Sequence, residues 1–263
     1  MSPLPEPWIA RLRGRAEAPP VRPRVPLYCG DSHTAVGSIE ADLARRAADA
    51  GLPLEHDACG WCIAGPADAS LARIARWLQA NDLCGRWRDE LLDVVSDGGV
   101  LVGRIERAAV RALGLTTRAV HLVGCTADGR IWVQQRAFDK ATDPGLWDTL
   151  MGGLVSAGES TADTLARETL EEAGLAVADL QAVEARGRIT IRRPVADGYM
   201  VEHIDVYAGV VPDLLHPKSR DGEVARFACI DAPTLTVWLM DERFTLEAAL
   251  ILARAPRGLF THS

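Results

Sequence analysis

Between Gly153 and Leu175 the chain spaces two glycines, four glutamates and an arginine in a way that leaves little freedom. Gly153 is followed after five residues by Glu159, and after seven more by Arg167-Glu168. Glu171-Glu172, Gly174 and Leu175 complete the stretch. Ser160 or Glu159 can open a helix here, since first turns favour capping and acidic residues. On that helix Glu168, Glu171 and Glu172 stand at i, i+3 and i+4, so their carboxylates share one face. Three crowded like charges repel and give a structural helix nothing. A divalent cation removes the conflict, because Mg²⁺ takes carboxylate oxygens together with water and phosphate. Arg167 lies four residues before Glu171 and can fix that carboxylate's rotamer. Gly152 and Gly153 allow a close backbone turn ahead of the helix. At average residue frequencies, such a string arises by chance on the order of once in a million chains this long.

Composition narrows the class further. Of 263 residues 48% are hydrophobic and 25% charged, as in soluble globular proteins. The net charge of −7 argues against a general nucleic-acid binder, which presents a basic surface. No apolar run reaches the roughly 18–20 residues of a membrane span. The Pro- and Arg-rich first 26 residues lack the apolar core of a secretory signal and read as a solvated arm. Six cysteines without compact spacing fit a reducing cytoplasm. Cys59 and Cys62 with His56 form too small a set for a structural zinc site, which needs four ligands.

Helical spacing predicts short helices over Ile39–Ala50 with Ser38 as cap, after Asp68, and over Arg104–Leu113. From Leu115 the pattern changes to alternation. Asp128-Gly129 and Asp197-Gly198 mark two hairpins, the second joining Gly187–Arg193 to Met200–Val210. A helix over Thr161–Ala173, a strand over Glu223–Ile230 and a helix over Leu246–Arg254 follow. This order is α+β with a mixed sheet rather than a βαβ alternation. We divide the chain into an N-terminal α/β extension, residues 1–115, and a second domain, residues 116–263.

The Gly153–Leu175 string resembles the Nudix box, G-x5-E-x7-R-E-U-x-E-E-x-G-U with U aliphatic. Every charged and glycine position matches, and the one departure is Thr169 at the first U. The resemblance implies a Nudix fold, a mixed β-sheet sandwiched between helices. It implies metal-dependent hydrolysis of a diphosphate linkage, with Glu168, Glu171 and Glu172 as ligands of Mg²⁺ or Mn²⁺. Arg167 and Glu223 join the catalytic candidates. An acidic residue in the Glu223 region often joins the metal site or serves as base in this family, while a turn-capping role fits Glu223 equally. The general base stays unassigned. The family also admits homodimers, though nothing in the sequence demands one.

Upstream, Arg136 and Lys140 precede Pro144-Gly145-Leu146-Trp147-Asp148 and Gly152-Gly153. These cations can face substrate phosphates, or else finish a hairpin and a solvated loop. Trp147, and less so Trp132, can stack on a substrate ring. With Trp87–Leu91 and the segment Arg107–His121, this run is similar to a Nudix subgroup with an N-terminal extension, a unit also fused to fungal thiamine pyrophosphokinase. That resemblance implies a small-molecule substrate, oxidised or damaged thiamine diphosphate, cut to the monophosphate. ADP-ribose, NADH or a nucleotide sugar is the rival substrate set. A non-catalytic Nudix-fold binding module is the rival class. Isopentenyl diphosphate isomerase shares the fold and the Arg–Lys–Pro–Trp run, but it depends on a site cysteine and departs from the hydrolytic box. His121, in an apolar strand, reads as a satisfied core histidine.

Overall fold

The structure, a computed structural model, describes residues 4–30 and 34–254. The chain opens with α1 (Glu6–Ala16), β1 (Arg24–Cys29), β2 (Gly37–Glu40), α2 (Ala41–Asp49), β3 (Leu54–His56), β4 (Trp61–Ile63) and α3 (Ala67–Ala80). β5 (Leu91–Val95) and β6 (Leu101–Glu106) then form a separate hairpin. The extension's sheet runs β2-β1-β4-β3, with β1 and β4 parallel. Its core gathers Leu27, Ile39, Ile63, Leu71, Ile74 and Leu78 beneath α2 and α3, and closes on Leu113 and Leu115.

The second half contributes β7 (Thr116–Cys125), β8 (Ile131–Arg136), β9 (Trp147–Asp148), β10 (Met151–Leu154), α4 (Thr161–Ala173), β11 (Gln181–Val195), β12 (Gly198–Val210), β13 (Val224–Ile230), α5 (Ala232–Met240) and α6 (Leu246–Leu252). The sheet order is β11-β12-β7-β8-β13, mixed because β12 and β7 are parallel. One edge of β7 is divided. Ala119–Leu122 pair with β10, while Gly124 and Cys125 pair with β8. β8 diverges to hold β9 and β13. This fork opens the sheet where the Gly152-Gly153 backbone crosses it. One apolar face packs under α1, α5 and α6, and the other under α4.

Three sequence expectations are corrected. Residues 6–16 are no loose arm but α1, with Trp8, Leu12 and Ala16 buried at four-residue spacing against the second domain's core. Pro5 and Pro7 do not break it, because they sit at its first turn, where the N–H groups have no intrahelical acceptor. Leu113 and Leu115 belong to the core under α2 and α3, whereas α1 packs into the core that holds Ala119 and the second half's strands. The helix expected over Arg104–Leu113 is strand β6 followed by one 3₁₀ turn at Arg107–Ala109. Valines on both strands and a turn at Asp97-Gly98-Gly99, with Gly99 at φ +81°, favour the hairpin. Ser38 lies in β2, where its hydroxyl accepts from Arg24 Nε at 3.0 Å, and α2 starts after Glu40 instead. Similarly Pro66, not Asp68, precedes α3. Both Asp-Gly hairpins, the Thr161–Ala173 helix and the late strand are present as read. The helix α5 went unread.

Candidate active site

The site begins with how α4 is fixed. Ser160 caps it, its Oγ accepting from Asp163 N at 3.1 Å while Ser160 N donates to the Asp163 carboxylate at 3.3 Å. Gly174 ends it in the left-handed region at φ +67°. Leu165 and Ala173 pack on Val120, Leu122, Leu150 and Met151. Thr169, the departure from the aliphatic pattern, is buried and gives its hydroxyl proton to Leu165 O at 2.6 Å. It therefore fills its position without an orphaned polar group.

Arg167 organises the carboxylates. Its guanidinium donates to Glu159 Oε1 and Oε2 at 2.8 and 2.9 Å, Glu168 Oε1 at 2.8 Å and Glu171 Oε2 at 3.1 Å. The hydrogen bonds from Arg167 hold Glu159 down at about 2, against some burial. Glu168 is pushed up to about 6, because burial outweighs the Arg167 charge. Glu172 is buried at 3% exposure and raised to about 8 by desolvation. Two donors partly offset that, Gln134 Nε2 at 2.9 Å and Gly152 N at 3.1 Å. Glu171 stays half-exposed on Arg167 and does not line the cavity that Glu168 and Glu172 reach.

The two glycines hold their places for separate reasons. A Cβ on Gly153 would land on the Glu168 carboxylate, and one on Gly152 would stand 2.6 Å from His121 Cε1. His121 is buried. Thr149 Oγ1 gives its own proton to Met151 O at 2.8 Å, so it accepts from His121 Nδ1 at 2.9 Å. The imidazole therefore carries its hydrogen on Nδ1.

Across the cavity Lys140 forms an ion pair with Glu223. Burial raises the Glu223 carboxyl, but the hydrogen bond and charge of Lys140, with Arg107 and Arg136, bring it below the ordinary value. Arg136 is braced, donating to Thr142 O at 3.0 and 3.2 Å and standing 3.6 Å from Asp148. Arg136, Lys140, Gly152, Gly153 and Glu223 all line the same cavity as Glu168 and Glu172. Trp147 does not. It is buried at 6% exposure against Trp238, with ring centroids 4.6 Å apart, because β9 turns its side chain into the core. Trp132 packs instead beside His216, centroids 6.2 Å apart.

Sequence reading missed several cavity residues. The extension supplies Arg86, Arg88, Arg107 and Arg111, and the strands and last helix supply Arg193 and Glu247. Their only sequence signal is a loose scatter of arginine; the fold brings them together. Gln134, on β8, had none. The cavity continues from the box, about 390 Å³, into a second lobe of about 490 Å³ beneath the extension. Among the described residues no three His, Cys, Asp or Glu side chains converge as a ready metal cage, since Arg167 holds Glu168 and Glu171. The donors are nonetheless of the kind a hard divalent cation takes. Gln134 Oε1, next to Glu172, is buried without a hydrogen-bond partner.

A forked mixed sheet between helices, with acidic residues on the helix that follows a glycine turn, defines a Nudix-type domain. A model of the NUDIX domain matches residues 115–246, and the chain belongs to that family. An uncharacterized Nudix hydrolase of Pseudomonas aeruginosa is 40% identical over 86 residues, 33% of this chain and 51% of the relative. An isopentenyl-diphosphate Delta-isomerase of Leifsonia xyli is 31% identical over 178 residues, 63% of this chain and 92% of the relative. The crystal structure of a Deinococcus radiodurans protein superposes with a TM-score of 0.52 at 20% identity, covering 65% of this chain and 100% of that one. That last likeness is one of fold. The chain spans about half the length of the first curated relatives it matches. No helix among the described residues is long and apolar enough to cross a membrane.

Proposed function

We propose that this chain hydrolyses the diphosphate linkage of a small organic molecule with Mg²⁺ or Mn²⁺, and that damaged thiamine diphosphate, such as oxythiamine diphosphate, is its substrate. The observation that carries the hydrolase reading is the pair Glu168 and Glu172. They stand on one face of α4 over Gly152-Gly153, Glu172 buried and Glu168 half-buried, and both open into a cavity whose opposite wall is basic. Glu168 and Glu172 would hold the cation, with Glu171 released to it from Arg167. The bound cation would neutralise the diphosphate and favour an ionised water as nucleophile.

The chain's own residues do the rest. Arg167 keeps Glu168 and Glu171 oriented, and Gly152 N and Gln134 orient Glu172. Lys140 and Arg136 face the phosphates from across the cavity. Glu223, ionised beside Lys140, and Glu168 are the carboxylates placed to accept the water's proton. Water adds to one phosphorus, the P–O–P bond breaks, and monophosphate and phosphate leave. Support for the thiamine-type substrate lies in the extension, whose resemblance runs through Trp87–Leu91 and whose arginines wall the pocket. The kinship with an isomerase does not carry that chemistry here. None of the chain's cysteines lines the cavity, and Cys125 is buried in the core with its thiol pushed up to about 12 by burial.

The test is a panel of oxythiamine and thiamine diphosphates, ADP-ribose, NADH and a nucleotide sugar, with Mg²⁺ or Mn²⁺. Glu171→Gln and Glu172→Gln run alongside. Oxythiamine diphosphate should give monophosphate and phosphate, and the variants should lose at least about a hundredfold in rate. Rapid cleavage of ADP-ribose or NADH with oxythiamine diphosphate ignored would remove the substrate reading. Cleavage of none would make the chain a binding module.

A further inference from the structure

The second lobe of the cavity is unlike the first. It lies beneath the β5–β6 hairpin and against β7 and β12, with Leu92, Leu115, Leu154, Val195, Met200 and Val201 as apolar walls. Glu202 projects into it from β12, paired in register with Thr117 of β7. One carboxylate oxygen, Oε2, accepts from Thr117 Oγ1 at 3.1 Å. Among the described residues the other takes no hydrogen bond and neither oxygen has an ion-pair partner. Glu202 keeps some exposure because it faces the cavity, yet protein encloses its carboxyl and desolvation pushes it up to about 7. Glu247, from α6, adds a second enclosed carboxyl that repels it. The cation nearest Glu247 is Arg193 Nη2 at 3.6 Å, and Arg193 Nε is itself buried without a partner.

Enclosing a carboxylate without a paired cation is unfavourable, and such groups cluster where a ligand satisfies them. The arginines nearby do not meet the need. Arg107 is engaged with Glu90 at 2.8 Å and Arg111 with Asp197 at 3.3 Å, while Arg86 and Arg88 are exposed at the mouth. In this lobe Arg86 and Arg88 are exposed, while Glu202 stands beside Leu115, Met200 and Val201, and Glu247 lines the adjoining box lobe with Arg193. An anionic group placed against Glu202 would be repelled, and a neutral alkyl group would leave its free oxygen unpaired. A flat aromatic head group that carries positive charge and an N–H donor satisfies both the walls and the acid.

We propose that Glu202, backed by Glu247, is the specificity determinant of a head-group subsite that receives a cationic heteroaromatic head group of the diphosphate substrate, one that also carries an N–H donor. This rests on the hydrolase reading above and names the substrate class for the same site. It also separates the chain from enzymes acting on uncharged isoprenoid diphosphates.

The experiment compares kcat/KM of the full chain for oxythiamine diphosphate, whose head group joins a cationic thiazolium to a pyrimidinone bearing an N–H, and for isopentenyl diphosphate, whose head group is neutral. Wild type, Glu202→Gln, Glu202→Asp and Glu202→Ala are used, with thermal melting to verify folding. Wild type should favour the cationic substrate by at least about a hundredfold, and Glu202→Gln should cut that preference at least about tenfold through KM, with Glu202→Asp recovering part of it. As a measurement independent of any variant, thiamine without phosphates should inhibit wild type competitively and isopentenol should not. An unchanged preference in Glu202→Gln and Glu202→Ala, or a wild type that prefers isopentenyl diphosphate, overturns the subsite. If neither diphosphate is cleaved, calorimetric affinities of the two with wild type and Glu202→Gln read the same preference. Glu172→Gln separates the two claims. If it abolishes cleavage while the preference ignores Glu202, only the subsite falls; if cleavage survives it, the assignment of Glu172 to the reaction falls; if wild type cleaves neither diphosphate, the hydrolase reading falls.

Discussion

A side chain as small as methyl at Gly153 would occupy the space of the Glu168 carboxylate, so this glycine and that glutamate share one volume. Gly153→Ala should therefore fold normally yet lose at least about a hundredfold in kcat by displacing Glu168. Steady-state kinetics beside a melting curve would check it, and full activity would show Glu168 to be dispensable as placed. The same carboxylates couple to pH. Burial raises Glu168 to about 6, Glu202 to about 7 and Glu172 to about 8. Each folded value lies above the ordinary one, so the stability it contributes is complete below that ordinary value and is lost as pH rises through the folded value. A divalent cation favours the ionised forms and opposes that loss. Added Mg²⁺ should raise Tm more at about pH 8.5 than at about pH 5.5, and Glu172→Gln should shrink the difference. Equal shifts at both pH values would mean the cation binds elsewhere. At this scale the box was legible because its spacing alone puts three carboxylates on one helical face. Trp147 was not, because which way a two-residue strand turns its side chain is set by the sheet fork and by Trp238, far along the chain.

Elements read from the sequence correctly were those with signals at both ends. Helix α4 has a capping box at Ser160 and Asp163 and a left-handed Gly174, and both hairpins turn on Asp-Gly. Where termini carried no such mark, periodicity misled. Ile105, Ala108, Ala109 and Leu113 recur at helical spacing, yet their burial comes from a hairpin edge followed by a 3₁₀ turn. Helix α1 was hidden by its prolines, although they occupy the one turn that tolerates them. Ser160→Ala should cost about 1 kcal/mol through the lost cap, read as a lower Tm with unchanged substrate preference. Trp8→Ala should cost about 3–5 kcal/mol, because Trp8 is buried in the same core as Ile204 and Leu250. Chemical denaturation measures both. A negligible loss for Trp8→Ala would detach α1 from that core.

For the whole molecule, the distribution of charge matters more than its sum. The chain carries a net charge of −7, yet Arg86, Arg88, Arg107, Arg111, Arg136 and Lys140 converge on one cavity, most of them from elements on opposite sides of the domain division. Composition alone suggests a protein that repels polyanions; assembly of the two parts gives a local site that attracts a small one. Residues 86–111 thus form a wall of that cavity, contributing four of those six cations. Such a cavity concentrates a diphosphate by field focusing, and the effect decays with screening once the Debye length drops below the cavity's dimensions. Raising salt from about 0.02 M to about 0.3 M should therefore lower kcat/KM several-fold through KM, leaving kcat nearly unchanged. Arg86→Ala with Arg88→Ala, which removes the two exposed cations at the mouth, should flatten that salt dependence. A salt response identical in this double variant would place the attraction at Arg136 and Lys140 alone, and the extension would then act on the head group rather than on the phosphates.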